Sequence, residues 1–242
     1  LVDNRVHCRY EVTDPIGPEL IQELIDAKVI NLLSVMDHTP GQGQFKTIEA
    51  YKRYFTNNHG RSEDELNQLI ANKQHASLDA WSRIDSVAKH AKAAGVSIAS
   101  HDADNVDVLK QLREHGVTIA EFPINLTAAR TAREIGMTTV MGAPNIIRGG
   151  SQSGSMRAMD AVAAGACTAL CSDYTPSTLL PAAYKIVSEG VLSLPEAVNM
   201  VTKNPARAAG LDRRGVIKEG YQADLVSVET INDLPIVTGM WR

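Results

Sequence analysis

GVSIASHDAD, residues 95–104, opens on a glycine, runs through a short apolar stretch and ends in His101, Asp102 and Asp104. The residues before it, DSVAKHAKAAG, carry a helical pattern that closes at Gly95, where a helix C′ residue takes the left-handed conformation. The run after it, VSIAS, suits a strand buried on both faces. One helix and one strand therefore meet at a glycine, and the strand delivers an imidazole and carboxylates at its C-terminal end.

The same rhythm continues outward. NVDVLKQLREHG leads to VTIAEFP, LTAARTAREIG to MTTVMGAPN, and SMRAMDAVAAGA to CTALCSDY, with Gly116 and Gly136 in the place of Gly95. Upstream, RVHCRYE and VINLLSVMDHTP fit the strand pattern, which brings the expected strands to six. A polar insertion follows them, and its helix is expected to start at the capping box Ser62, Glu63, Asp64, Glu65. Downstream, SLPEAVNMVTKNPARAAG reads as one helix with Ser193 as N-cap and Pro195 in the first turn. GVIKEGYQADLVSVE and LPIVTGMW read as β strands with a glycine-bearing turn, a small appended β domain.

Alternating β and α with apolar strands means a parallel sheet, open or closed into a barrel. No GxGxxG or Walker motif follows a strand, which argues against a dinucleotide-binding fold. Glu11, His38, His101, Pro123, Asn145 and Asp173 all fall at or just past strand C-termini, where a (β/α)8 barrel carries its active site.

Composition bounds the function. The chain has 242 residues, 44% hydrophobic and 21% charged, with net charge −4. That is ordinary globular composition, and without a basic run it excludes a general nucleic-acid footprint. Cys8, Cys167 and Cys171 neither pair evenly nor sit at CxxC spacing, so reduced thiols in a cytoplasmic compartment are expected. Cys171 reads as a buried apolar thiol. No stretch reaches the roughly 18 apolar residues of a spanning helix and no signal-peptide pattern opens the chain, so no membrane partner is expected. The start at Leu1 and the stop just after the strand-like PIVTGMW point to a fragment of a longer protein.

Glu11, His38, His101 and Asp173, from four strands, form a ligand set suited to zinc or a similar divalent ion. A lone strand-end histidine is read as a hydrogen-bonding cap; joined with Asp173 the set reads as metal ligands. Asp173 itself is open to three readings: ligand, base toward water, or turn residue before Pro176. His59, His75, His90 and His115 are expected to be solvated. His7, Arg9 and Glu11 alternate onto one strand face, with His7 below Glu11. The stretch GAPNIIRGGSQSGSMR reads as a loop between strand and helix. In it Asn145, Arg148, Gly149, Gly150, Ser151, Ser153 and Gly154 could approach phosphate oxygens.

MDHTPGQ, ASHDAD, AEFP, MGAPNIIRGGSQSG and SDYTPSTLLPAA, in this order, resemble the amidohydrolase superfamily. They are most similar to a branch that hydrolyses a phosphonate-bearing ribosyl triphosphate to the 5-phosphate and pyrophosphate. The resemblance implies an α/β fold, a TIM-like (β/α)8 metallo-dependent hydrolase barrel of which the last six strands are present, with part of a small β-sandwich domain. Residues 1–212 would form the barrel, with a helical insertion at about 41–90, and residues 213–242 the sandwich part. Glu11 would fill the acidic ligand position, His38 and His101 the later histidines, and Asp173 the eighth-strand aspartate. One or two divalent ions, zinc for preference, would be the cofactor, and a phosphorylated sugar the substrate. The first-strand HxH of the superfamily is absent, and the open barrel edge calls for cover by missing sequence or a second copy of the chain. Two other readings stay open: hydrolysis of a C–N bond, as in a deaminase or cyclic amidase, and a catalytically silent binding subunit.

Overall fold

The structure, a computed structural model, describes residues 3–41, 47–59, 62–151 and 154–242, with the side chains of residues 50 and 57–59 outside the description. The chain divides into two compact units, residues 1–124 and 125–242.

The first unit contains β1 (Val6–Glu11), α1 (Gly17–Asp26), β2 (Ile30–Met36), α2 (Ile48–His59), α3 (Glu63–Ser77), α4 (Ala80–Ala93), β3 (Ser97–His101), α5 (Val106–Glu114) and β4 (Ile119–Glu121). The four strands are parallel and neighbour one another in chain order. Pairings such as Glu11 with Met36 and His101 with Glu121 bring the C-terminal ends to one edge. The alternation of strand side chains separates two faces. Tyr10, Leu33, Val35, Ile98 and Ala120 are buried on one, where α1 meets β2 and α4 meets β3. His7, Arg9, Glu11, Ser34, His101 and Glu121 share the other by register.

The expected glycines do their work here. Gly95 and Gly116 follow α4 and α5 at φ 71° and 93°, and their amides close the helix ends by donating to Lys92 O and Arg113 O. The capping box of α3 forms as read: Ser62 Oγ accepts from Glu65 N at 3.4 Å, and Ser62 N donates to Glu65 Oε2 at 2.9 Å.

The second unit contains α6 (Leu126–Glu134), β5 (Thr138–Gly142), α7 (Ala143–Arg148), α8 (Ala158–Ala163), β6 (Ala169–Cys171), a 3-10 turn (Pro176–Thr178), α9 (Leu179–Ser188), α10 (Leu194–Asn199), α11 (Lys203–Ala208), β7 (Leu225–Ile231) and β8 (Leu234–Trp241). β5 and β6 are parallel. Thr139, fully buried, joins them by donating to Ala166 O and accepting from Thr168 N. Met141, Ile146, Val162, Leu170, Ile186 and Met200 pack into one core.

Three expectations are corrected in this unit. The helix expected over 193–210 is broken into α10 and α11. Pro205 offers no N–H to Val201 O, and the carbonyl one residue earlier, Met200 O, accepts from Leu170 N of β6 at 2.9 Å. The stretch expected as a loop after β5 begins as α7, because Pro144 suits a first helical turn and Gly149 ends it at φ 79°. The strand expected over 215–229 is confined to its end, Leu225 onward, and pairs antiparallel with β8. Gly220 stands in a turn before β7 at φ 80°, and the turn between β7 and β8 is Asn232–Asp233, at φ 51° and 61°. Asn and Asp are the side-chain-bearing residues that best accept this geometry.

Candidate metal centre

His101 is the last residue of β3, Glu11 the last of β1, and His38 stands two residues beyond β2. The parallel register carries all three to the same edge, where Asp102 joins them. Ligand atoms from His38, His101 and Asp102 lie within 4.8 Å of one another. Asp102 Oδ2 is 2.9 Å from His101 Nδ1 and 3.9 Å from His38 Nε2. The imidazole rings meet edge-on with centroids 6.3 Å apart.

His101 Nδ1 and Asp102 Oδ2 are both buried and neither has a hydrogen-bond partner; their only close polar contact is with each other. Buried polar atoms without partners are costly, and a shared cation removes that cost. Two imidazole nitrogens and a carboxylate oxygen are a donor set that fits zinc. Backbone strain concentrates at the same edge. Asp102, after β3, and Phe122, after β4, have φ of 57° and 53°, a region that a bulky side chain seldom occupies. The Phe122 ring stands edge-on to His101 at 5.1 Å.

Glu11 fixes His38. Its Oε2 is 2.6 Å from His38 Nδ1, and its Oε1 accepts from His38 N at 3.1 Å and from Thr13 Oγ1 at 3.1 Å. Burial pushes the Glu11 carboxyl up, but the His38 hydrogen bonds and the nearby Lys73 ammonium outweigh it and hold the group down at about 2. An ionised carboxylate only accepts, so His38 Nδ1 carries the proton and Nε2 presents its lone pair. Carboxylates hold metal-ligating histidines in this manner.

Lys73 reaches from α3 to within 3.5 Å of Glu11 Oε1. Arg9 places Nη2 3.3 Å from His101 Nε2 and Nε 3.1 Å from Met36 Sδ. Deeper along the face, His7 Nε2 is 2.6 Å from Ser34 Oγ, which donates to Glu121 Oε2 at 2.8 Å. Burial lowers the His7 pKa, with Arg9 and His101 adding to the effect and Glu121 opposing it. His101 and Asp102 also border a cavity of about 130 Å³ with apolar walls that include Trp81, Ile84 and Leu112.

Glu11, His38 and His101 are thus brought together in the first unit. Asp102 was visible as the residue after His101 but was not assigned a role. Lys73, Arg9 and Glu121 carry no motif, and only the fold delivers them. Among the other histidines, His90 and His115 pair with Asp26 and Asp85, and His75 is exposed. The His59 side chain lies outside the described residues.

Asp173, Asn145 and Arg148 belong to the second unit. Asp173 is exposed at φ 48° in a turn closed by Thr175 N donating to Ser172 O. Arg148 Nη1 donates to Tyr174 Oη at 2.7 Å, which ties the end of α7 to the Asp173 turn, and Nε donates to Gly150 O at 3.1 Å. The amides of Gly149 and Gly150 both donate to Asn145 O. The Asn145 side chain donates to Met156 O and accepts from Ala158 N. The polar groups of Asn145 and the two glycine amides therefore close the loop on itself. Ser151 is half-buried, Gly154 is exposed at φ 76°, and Ser153 lies outside the described residues.

Parallel strands with histidines and carboxylates gathered at their C-terminal edge make an α/β fold whose donor set could hold a divalent metal. The chain belongs to the amidohydrolase family, whose profile matches residues 34–242. It is 36% identical to the alpha-D-ribose 1-methylphosphonate 5-triphosphate diphosphatase of Escherichia coli (strain K12), over 99% of this chain and 64% of that protein. The chain thus spans a little under two thirds of the length of this relative. Among solved structures, the dihydropyrimidinase of Brevibacillus agri NCHU1002 matches with TM-score 0.57 at 12% identity, over 95% of this chain and 62% of that one. The 5-methylcytosine deaminase of Klebsiella pneumoniae matches with TM-score 0.51 at 16% identity, over 99% and 69%. These likenesses place the fold with the TIM-barrel hydrolases. No helix among the described residues is long and apolar enough to cross a membrane.

Proposed function

We propose that the protein is a divalent-metal-dependent diphosphatase that hydrolyses alpha-D-ribose 1-methylphosphonate 5-triphosphate to the 5-phosphate and pyrophosphate in phosphonate catabolism. The observation that carries this reading is the His38, His101 and Asp102 cluster, with two buried atoms that make no hydrogen bond, in a chain similar throughout to a protein of that name.

His38, His101 and Asp102 would hold the ion, with Glu11 beside them as orienting carboxylate or further ligand. A divalent ion supplies Lewis acidity, which makes water a usable nucleophile at neutral pH. The chain's own groups do the rest. Glu11 keeps the His38 lone pair on Nε2. Asp173, an exposed carboxylate after β6, serves as the base that takes the proton of the attacking water, or as a further ligand. Arg148 holds phosphate oxygens through its planar fork. Charge accumulating on the transferred phosphoryl group is met by this guanidinium.

The test is release of pyrophosphate from the ribosyl triphosphate with zinc present, lost on chelation and restored by the ion. His101→Ala and His38→Ala should each lower bound metal and turnover together, and Asp173→Asn should lower turnover. Ammonia release from a cyclic amide or amidine, with no pyrophosphate from the triphosphate, would replace this reading with C–N bond hydrolysis.

A further inference from the structure

Arg9 is a cation without an ion-pair partner among the described residues. It lies on β1 between His7 and Glu11, exposed, and its recorded partners are a thioether and an imidazole nitrogen. Among the described residues no carboxylate pairs with it. A guanidinium is always charged and only donates, and a thioether is a weak acceptor, so most of this fork remains available to a ligand. Lys73 stands at the other end of the cluster. Its contact with Glu11 Oε1, at 3.5 Å, is longer than those from His38 N and Thr13 Oγ1 to the same oxygen.

We propose that Arg9 and Lys73 form an anion clamp flanking the His38, His101 and Asp102 cluster, which receives a phosphate or phosphonate group once the metal is loaded. The proposal rests on the metal-centre reading above and adds to it the residues of the first unit that bind the anionic substrate.

Metal loading and clamping are coupled through His101. In the free protein Arg9 donates to His101 Nε2, which must therefore hold a lone pair. A ligated His101 has none left for Arg9: either Nε2 is itself the ligand, or Nδ1 is and Nε2 carries the proton. In both cases the guanidinium leaves His101 and becomes free to fork onto phosphoryl oxygens. The ion and the anion should thus bind cooperatively.

Calorimetric titration of inorganic phosphate into the zinc-loaded and the chelator-treated protein tests this. Phosphate should bind more tightly to the zinc-loaded form. Arg9→Gln should weaken that binding roughly ten- to a hundredfold, as for loss of hydrogen bonds to a charged group. Lys73→Gln should weaken it less, and Arg9→Lys should fall between wild type and Arg9→Gln. Lys110→Gln, an exposed cation on α5, should bind as wild type does. Zinc stoichiometry should hold in every variant, because removing a cation beside the ligands does not weaken metal binding. Wild-type phosphate affinity in Arg9→Gln or Lys73→Gln overturns the clamp, and so does loss of zinc from Arg9→Gln. Failure of the functional reading looks different: the wild type would release no pyrophosphate while the variants still differed in phosphate affinity.

Discussion

Gly17 is required by its neighbour. Its own dihedrals are ordinary, but a Cβ there would strike the Tyr10 ring, 2.8 Å from Cδ2 and nearer still to Cε2. Tyr10 is buried, and its hydroxyl donates to Asp14 O at 2.9 Å, so the ring has little room to yield. Gly17→Ala should therefore cost about 1–3 kcal/mol, the range for overpacking a well-filled site, read from the denaturant midpoint. The same tyrosine sets an alkaline limit. Burial raises its pKa from 10.0 to about 12, the Arg83 charge opposing. A raised folded-state pKa contributes stability that is fully present below pH 10.0 and lost as pH climbs toward about 12. Unfolding free energy measured across that window should fall in the wild type and fall less in Tyr10→Phe. At the proposed metal centre, Glu11→Gln should weaken metal affinity roughly 10- to 100-fold, the usual effect of losing a carboxylate that orients a ligand; unchanged affinity in equilibrium dialysis would remove Glu11 from that role. His38 and His101 were legible in the sequence because each ends an apolar run. The part played by Asp102 was not, since a carboxylate after a strand looks the same whether it turns the chain or faces a cation.

Helix α3 shows what local signals specify. Ser62 and Glu65 satisfy each other's backbone amides at its start, and Ser62→Ala should destabilise the protein by about 1 kcal/mol, with hydrogen exchange accelerated in the first turn of α3. An unchanged exchange pattern would mean the insertion is held by packing alone. The end of the same helix brings Lys73 to Glu11, which no cap or pattern announces. Where an element is set by its own residues, as with the glycine-closed α4 and α5, the sequence reading and the structure agree. Where long-range partners decide, they part: Met200 O is drawn to the edge of β6, and the single helix expected over 193–210 becomes two. α7 was missed for another reason. Six residues between a strand and a pair of glycines are too few to show a helical period.

For the molecule as a whole, an ion bound only by the folded state stabilises it by mass action. At free zinc a hundredfold above Kd the gain is about 2.7 kcal/mol, which for a chain of this length raises the thermal midpoint by several degrees. His101→Ala should lose that increment and melt at the same temperature with and without zinc. A zinc-dependent shift that survives in the variant would place the ion elsewhere. The measurement is independent of substrate, so it separates metal binding from the proposed chemistry.

Periodicity and punctuation in the sequence were enough to establish an α/β chain of six parallel strands, because apolar runs and helix-closing glycines are local properties of the chain. The positions of His38, His101 and Glu11 at strand ends followed from the same counting. Which atoms meet was decided only by tertiary structure. The register of β1 against β2 and of β3 against β4 sets Glu11 on His38 and Arg9 on His101, and hydrogen-bond direction then fixes which nitrogen of each imidazole is protonated. Such pairings join residues up to 92 positions apart, and no local pattern encodes a contact at that separation.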